Sequence, residues 1–265
     1  MKKILCPCDF SETALRGVEA AARVADRIAA SLTVCHVQPS VWPEAVFLEP
    51  VVEESRESVE TKLSTICDHV RETFGTSCDF TTTRTTNTID DTIAGYSDAF
   101  DLIVMGTNGA DDFLEYFFGN NSFHVAAISG CPVLVIPDNI NGSLPSRMIY
   151  LHQEAVNPEI DILVPVWWSQ LLGMEFGIWI GPSGNELLDR EHAEKVHRFL
   201  EGENPEKLIA FIETHPAPVP GSHPSGDLFA LAVNPSRRNP RNSGKRLLRH
   251  LLSTTSDPVL VFDVS

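Results

Sequence analysis

The sequence predicts an α/β fold built as two tandem doubly wound parallel sheets, and three observations predict it. Short apolar runs, typical of strands buried on both faces, alternate with stretches of helical periodicity. The connections between them are short, so each helix carries the chain to a parallel neighbour and covers one face of a sheet. The stretch Asp227 to Asp263 also aligns without a gap on Asp101 onward, at a constant offset, so the pattern occurs twice in 265 residues.

Lys3 to Cys8 reads as the first strand. Ser11 is placed to cap the next helix, in which alanines recur at helical spacing through Ala30. Leu32 to Val37 is the second strand, closed by Gln38 and Pro39, and residues 41–51 read as a proline-containing surface loop. Glu53 to Phe74 is amphipathic, with Val59, Leu63, Ile66 and Val70 on one face, and Gly75 ends it. Cys78 to Arg84 is a threonine-rich strand, and Thr88 caps a short helix from Ile89 to Phe100. Asp101 to Gly106 is a buried strand, Asn120 to Ser129 a helix, and Pro132 to Ile136 another buried strand.

Residues 139–147, NINGSLPSR, form a polar linker and divide the chain into residues 1–140 and 147–265. Beyond it Arg147 to Tyr150 matches Lys3 to Cys6, and PVLVFD falls on PVLVIP. Residues 215–226 replace the third crossover helix with an irregular, proline-rich segment; its His215 and His223 have no metal-ligand spacing. Ile162 to Pro182 is apolar and about as long as a membrane span, but Pro165, Gln170 and Glu175 interrupt it and no cations flank it. It is expected to be buried core, with Trp167 and Trp168 in the core or between the halves. The basic run Arg237, Arg238, Arg241, Lys245, Arg246 and Arg249 reads as a solvated loop and helix face, or a surface for an acidic partner.

A formal charge of -16 argues against a nucleic-acid or anionic-membrane partner. The N-terminal MKKILCPCDF lacks a signal-peptide core, so a cytoplasmic setting is expected. The six cysteines read as small buried hydrophobes of a reducing compartment, and a partly exposed Cys8 is the one redox candidate among them.

In doubly wound sheets ligands lie beyond the carboxyl ends of strands, where the strand order reverses. The loops meeting that description are Cys8-Asp9-Phe10, Val37-Gln38 and Gly106 to Gly109. Gly106 and Gly109 are separated by two residues, and Gly109 and Gly119 by nine. Glycine permits positive φ and close backbone approach, and a turn leading into a helix N-terminus can hold phosphate oxygens. The plainer reading is a strand-to-helix turn and a helix cap.

Gly106-x2-Gly109-x9-Gly119, flanked by DLIVMGTNG and GCPVLVIP, resembles the ATP-binding branch of the universal stress protein family, and KILCPCDFSE resembles that family's first strand and acidic loop. The resemblance implies an adenine nucleotide alpha hydrolase-like, Rossmann-like fold and a bound adenine nucleotide, ATP or AMP, with or without Mg2+. By this resemblance Asp9 accepts from the ribose or the adenine edge, and backbone groups around Pro7, Cys8, Val37 and Met105 frame the base. Gly106, Asn108, Gly109, Gly119, Asn120, Asn121 and Ser122 surround the phosphates. The chain departs from the family in having Asn120 after the third glycine, and in carrying Asp111, Asp112 and Glu115 in the loop. In the second copy Gly106 becomes Ala232, Gly109 becomes Pro235, Gly119 becomes Lys245, and Asp9 aligns with Gln153, so the nucleotide chemistry is absent there. No catalytic constellation and no metal site are readable. The expected function is a stress-response protein that senses or carries a nucleotide, with slow hydrolysis at most. The alternatives are a nucleotide-free dimerising scaffold and a slow ATPase. The two halves are expected to pack as a pseudo-symmetric pair through PVLVIP and PVLVFD, and a homodimer is compatible with the family.

Overall fold

Apolar runs too short for helices become strands hydrogen-bonded on both sides and covered above and below. The computed structural model describes residues 2–40, 55–107, 119–137, 144–152, 158–180, 191, 194, 198, 212–213, 226–233, 243–254 and 257–263. Its elements in the first half are β1 (Lys3–Pro7), α1 (Glu12–Ile28), β2 (Ser31–Pro39), α2 (Arg56–Phe74), β3 (Cys78–Thr85), α3 (Ile89–Ala94), β4 (Leu102–Thr107), α4 (Gly119–Ile128) and β5 (Val133–Pro137). In the second half they are β6 (Arg147–His152), α5 (Pro158–Leu171), β7 (Glu175–Ile180), β8 (Ile212–Glu213), β9 (Asp227–Val233), α6 (Ser243–Thr254) and β10 (Val259–Asp263).

Among the described residues ten strands form one sheet in the order β3-β2-β1-β4-β5-β10-β9-β6-β7-β8. Every pairing is parallel except β5 with β10. Registers recur between the halves: Ile4 pairs with Leu32 and Leu102, as Met148 pairs with Phe176 and Leu228. Ile103 pairs with Val133 as Phe229 does with Val259. At the junction Val133, Leu134 and Val135 face Val261, Leu260 and Val259, so Leu134 meets its own counterpart at the centre of a local two-fold.

The halves share more than a strand edge, because the apolar layer on each face of the sheet draws on both. Lys2 Nζ lies 5.4 Å from the Trp167 ring centroid, and the Arg249 guanidinium lies 4.9 Å from that of Phe123, both within cation–π range. Arg249 of the basic run thus packs against the first half, while Arg237, Arg238 and Arg241 lie outside the described residues. Trp168 is buried and Trp167 is 46% exposed, so the tryptophan pair divides between core and surface.

Ser11 and Thr88 cap where expected, accepting from Ala14 N and Asp91 N, and Ser55, read from sequence as lying within the second helix, is its N-cap and accepts from Ser58 N. Two segments differ from the sequence reading. The helix expected from Ile89 to Phe100 stops at Ala94, and a 3-10 turn over Ser97–Ala99 comes after it. Gly95 weakens the helix, and Phe100 must be extended (φ -129°, ψ 150°) to feed β4. On α2, which begins at Arg56, Cys67 takes the fully buried position and Ile66 is only partly buried. Ile162 to Pro182 splits into α5 and β7, as the core reading required. No helix among the described residues is long and apolar enough to cross a membrane. Residues 215–225, and with them His215 and His223, lie outside the described residues.

Candidate functional site

The strand order reverses between β1 and β4, since β1 continues outward to β2 and β3 while β4 continues to β5. A cavity of about 190 Å³ opens at the carboxyl ends of these strands. Its wall contains Pro7, Cys8, Asp9, Val37, Met105, Gly106 and Ser122, all expected from sequence, together with Ser11, Thr13, Ala14, Cys35, Ile89, Ile93 and Thr107. Asn108 and Gly109 lie outside the described residues. Gly119, Asn120 and Asn121 form the first turn of α4, and their side chains are outside the description.

The β1–α1 corner is tightly determined. The Cys8 N–H donates to the Cys35 carbonyl at 2.8 Å, continuing the β1–β2 ladder one residue past β1. His36 Nδ1 lies 2.7 Å from the Cys8 carbonyl oxygen. Asp9 Oδ1 accepts from the Ser11 N–H at 3.0 Å, an Asx-turn that brings Ser11 to the cap. Between them Phe10 is held at φ 69°, in the left-handed region that bulky residues avoid. Its ring stacks on His36 with centroids 4.6 Å apart, and Lys62 Nζ covers it at 5.1 Å, contacts that offset a strain of roughly 1–3 kcal/mol.

The opposite wall depends on close helix–strand contact. A Cβ on Gly106 would lie 2.4 Å from the Thr13 carbonyl oxygen, and one on Gly17 would lie 2.7 Å from Gly106 N. Two glycines therefore let α1 rest on the end of β4 and bring Thr13 and Ala14 over the cavity. This corrects the sequence reading of Gly106, whose φ is not positive and whose need for glycine is steric. Ser122 Oγ donates to the Gly106 carbonyl at 3.4 Å, tying α4 to the same point. On the flank His124 of α4 sits between Asp90 and Asp91 of α3, its Nδ1 3.4 Å from Asp90 and its Nε2 3.5 Å from Asp91.

Electrostatically the lining is weakly anionic. Burial pushes the Cys8 thiol up to about 11 and the Cys35 thiol up to about 12, so both are neutral near pH 7. Cys8 is 4% exposed, which overturns its reading as a partly exposed redox cysteine. Among the described lining residues Asp9 is the carboxylate and there is no lysine or arginine. In the second half His152 stands where Cys8 stands in the first, buried and 5.6 Å from the Tyr150 ring, while Ala232 occupies the place of Gly106.

Four of the lining residues that sequence reading missed had readable signals. Cys35 lies two before Val37 and shares its strand face, Met105 and Thr107 are related in the same way, and Ile89 and Ile93 are one helical turn apart. Gly17 had none, since its role depends on which strand end α1 crosses.

A model described as the universal stress protein family matches residues 1–137. Among solved structures the chain is similar to a universal stress protein from Archaeoglobus fulgidus DSM 4304, with 17% identity, 99% of this chain and 98% of that chain covered, and a TM-score of 0.72. It is also similar to a functionally unknown protein from Pseudomonas aeruginosa PAO1, with 14% identity, 100% and 93% covered, and a TM-score of 0.63. The cytoplasmic domain of a prokaryotic cation chloride cotransporter is a further neighbour, with 11% identity, 98% and 95% covered, and a TM-score of 0.54. At these identities the likeness to solved structures is one of fold. No curated protein matches the sequence.

Proposed function

The chain belongs to the universal stress protein family, and from that premise we propose that it binds one adenine nucleotide, ATP or AMP, in its first half. The observation that carries this reading is that all seven expected site residues with described side chains line one cavity at the strand-order switch. The cavity is smaller than the ~300 Å³ at the low end for sites that enclose a whole ligand. It suits the nucleoside, with the phosphates directed to the N-terminus of α4, where Gly119, Asn120 and Asn121 offer backbone N–H groups. Asp9 keeps Oδ2 for a ribose hydroxyl while Oδ1 holds the Ser11 turn. With no cation in the described lining, a triphosphate calls for Mg2+ to offset its charge. Residues 1–140 are then the binding repeat, and residues 147–265 a degenerate repeat that completes the sheet. Binding with slow hydrolysis at most is the activity this lining favours.

Calorimetric titration of the full chain with ATP or AMP, with and without Mg2+, is expected to give one site per chain. Two equivalent sites would refute the assignment to the first half. Absence of binding by either nucleotide would leave the nucleotide-free scaffold. In the same experiment Asp9→Ala is expected to weaken binding about tenfold or more, the range for a hydrogen bond to a charged group. Unchanged affinity would remove Asp9 from the site.

A further inference from the structure

We propose that Cys67 and Cys78 form an oxidation-responsive dithiol, which closes to a disulfide between α2 and β3 when a hydroperoxide reaches it. All six cysteines are free thiols, and the Cys67 and Cys78 sulfurs stand 3.0 Å apart. A disulfide requires a further approach of about 1 Å. The local sequence produces this juxtaposition. Cys67 lies on the buried face of α2 after Val59 and Leu63. Gly75, at φ 67°, reverses the chain and delivers Cys78 as the first residue of β3. Arg71, one turn after Cys67, donates through Nη2 to the Cys78 carbonyl oxygen and pairs with Asp68 at 2.6 Å and Asp79 at 3.8 Å. One guanidinium thereby ties the helix end to the strand start and fixes the two sulfurs.

Packing alone does not call for two thiols here, since two small apolar side chains would fill the same space. The pair also stands apart from the nucleotide reading, because neither cysteine lines the cavity. Both are buried, at 0% and 1% exposure, but β3 is the outermost strand at its end of the sheet, so loosening the last turn of α2 is enough to admit a small peroxide. The two thiols are not equivalent. The hydrogen bond from Cys78 holds the Cys67 thiol below its ordinary range, with Arg71 adding to it against burial, whereas the same bond and burial push Cys78 up.

Cys67 is accordingly the attacking thiolate. Its sulfur takes the distal oxygen of the hydroperoxide as the O–O bond breaks, giving a Cys67 sulfenic acid and, from hydrogen peroxide, one water. Cys78 then attacks the Cys67 sulfur, the S–O bond breaks, and the oxygen leaves as a second water carrying the Cys78 proton. Two thiols are oxidised by two electrons in all and one peroxide is reduced. A thiol reductant reverses the bond.

The full chain, reduced and then treated with equimolar hydrogen peroxide, is expected to fall from six titratable thiols to four. Mapping without reductant should then join peptide 63–71 to peptide 72–84, the tryptic fragments bounded by Lys62, Arg71 and Arg84, and dithiothreitol should separate them. Cys67→Ala should retain all five remaining thiols under the same dose, whereas Cys78→Ala, in which oxidation stops at the Cys67 sulfenic acid, should give no linked peptides. Six unchanged thiols in the native protein, or a link between other cysteines, would overturn the proposal. The map of the unsubstituted protein decides the matter even where a variant fails to fold.

Discussion

Gly106→Val is expected to lower stability by about 3 kcal/mol or more and to remove nucleotide binding with it. For a chain of this size that is a fall in melting temperature of roughly 10 °C. A Cβ at this position would lie 2.4 Å from a backbone oxygen, that of Thr13, which cannot rotate away as a flexible side chain could. The helix must then lift from β4. Because Thr13, Ala14 and Ser11 line the cavity, lifting α1 deforms the site as well as the core. Gly75→Ala is the informative control. Gly75 has a φ of 67° with nothing within 4 Å of the added Cβ, so it should cost only the ~1–2 kcal/mol of left-handed strain and leave binding intact. Thermal melts of the two variants test the contrast. A Gly106→Val protein that melts within a degree or two of the parent would show that α1 does not rest on β4 as described.

Residues 1–145 expressed alone are expected to self-associate at micromolar concentration. In the full chain β10 covers the edge of β5, and Val133, Leu134, Val135 and Ile136 are at most 3% exposed. Without the second half that edge presents the unpaired N–H and C=O groups of an apolar strand that has lost its outer neighbour, which is a template for pairing. The register already has two-fold form, with Leu134 opposite its counterpart Leu260. Two copies of β5 can therefore pair about Leu134 with no change of geometry, burying the surface that β10 buries now. Sedimentation velocity should show a dimer. A well-folded monomer would mean that α5 and α6 contribute more to the interface than the strand edge does.

Much of the frame was legible in the chain because local chemistry sets it. Ser11 and Thr88 can cap only the helices on their C-terminal side, and Gly75 can end only the helix on its N-terminal side. Runs such as LIVMG and VLVI are too apolar to lie anywhere but inside a sheet. The site was legible at the strand ends for a related reason, since Cys8, Val37 and Met105 close buried runs in a doubly wound order and so must converge on one crevice. The length of α3 was not legible. Gly95 and the need to enter β4 from an extended Phe100 compete with helix propensity, and only the position of β4 settles that competition.

By itself, then, the sequence determined the α/β class, the order of elements, the caps and the strand ends that meet, because these arise from periodicity and from residues acting on their neighbours. The tertiary structure alone decided why Gly106 is glycine, that Gly17 must be one too, that Cys8 is sealed rather than exposed, and that Cys67 faces Cys78. Each of these depends on which atoms of a distant segment come within about 4 Å, the range over which packing contacts act. Distance along the chain carries no record of that approach.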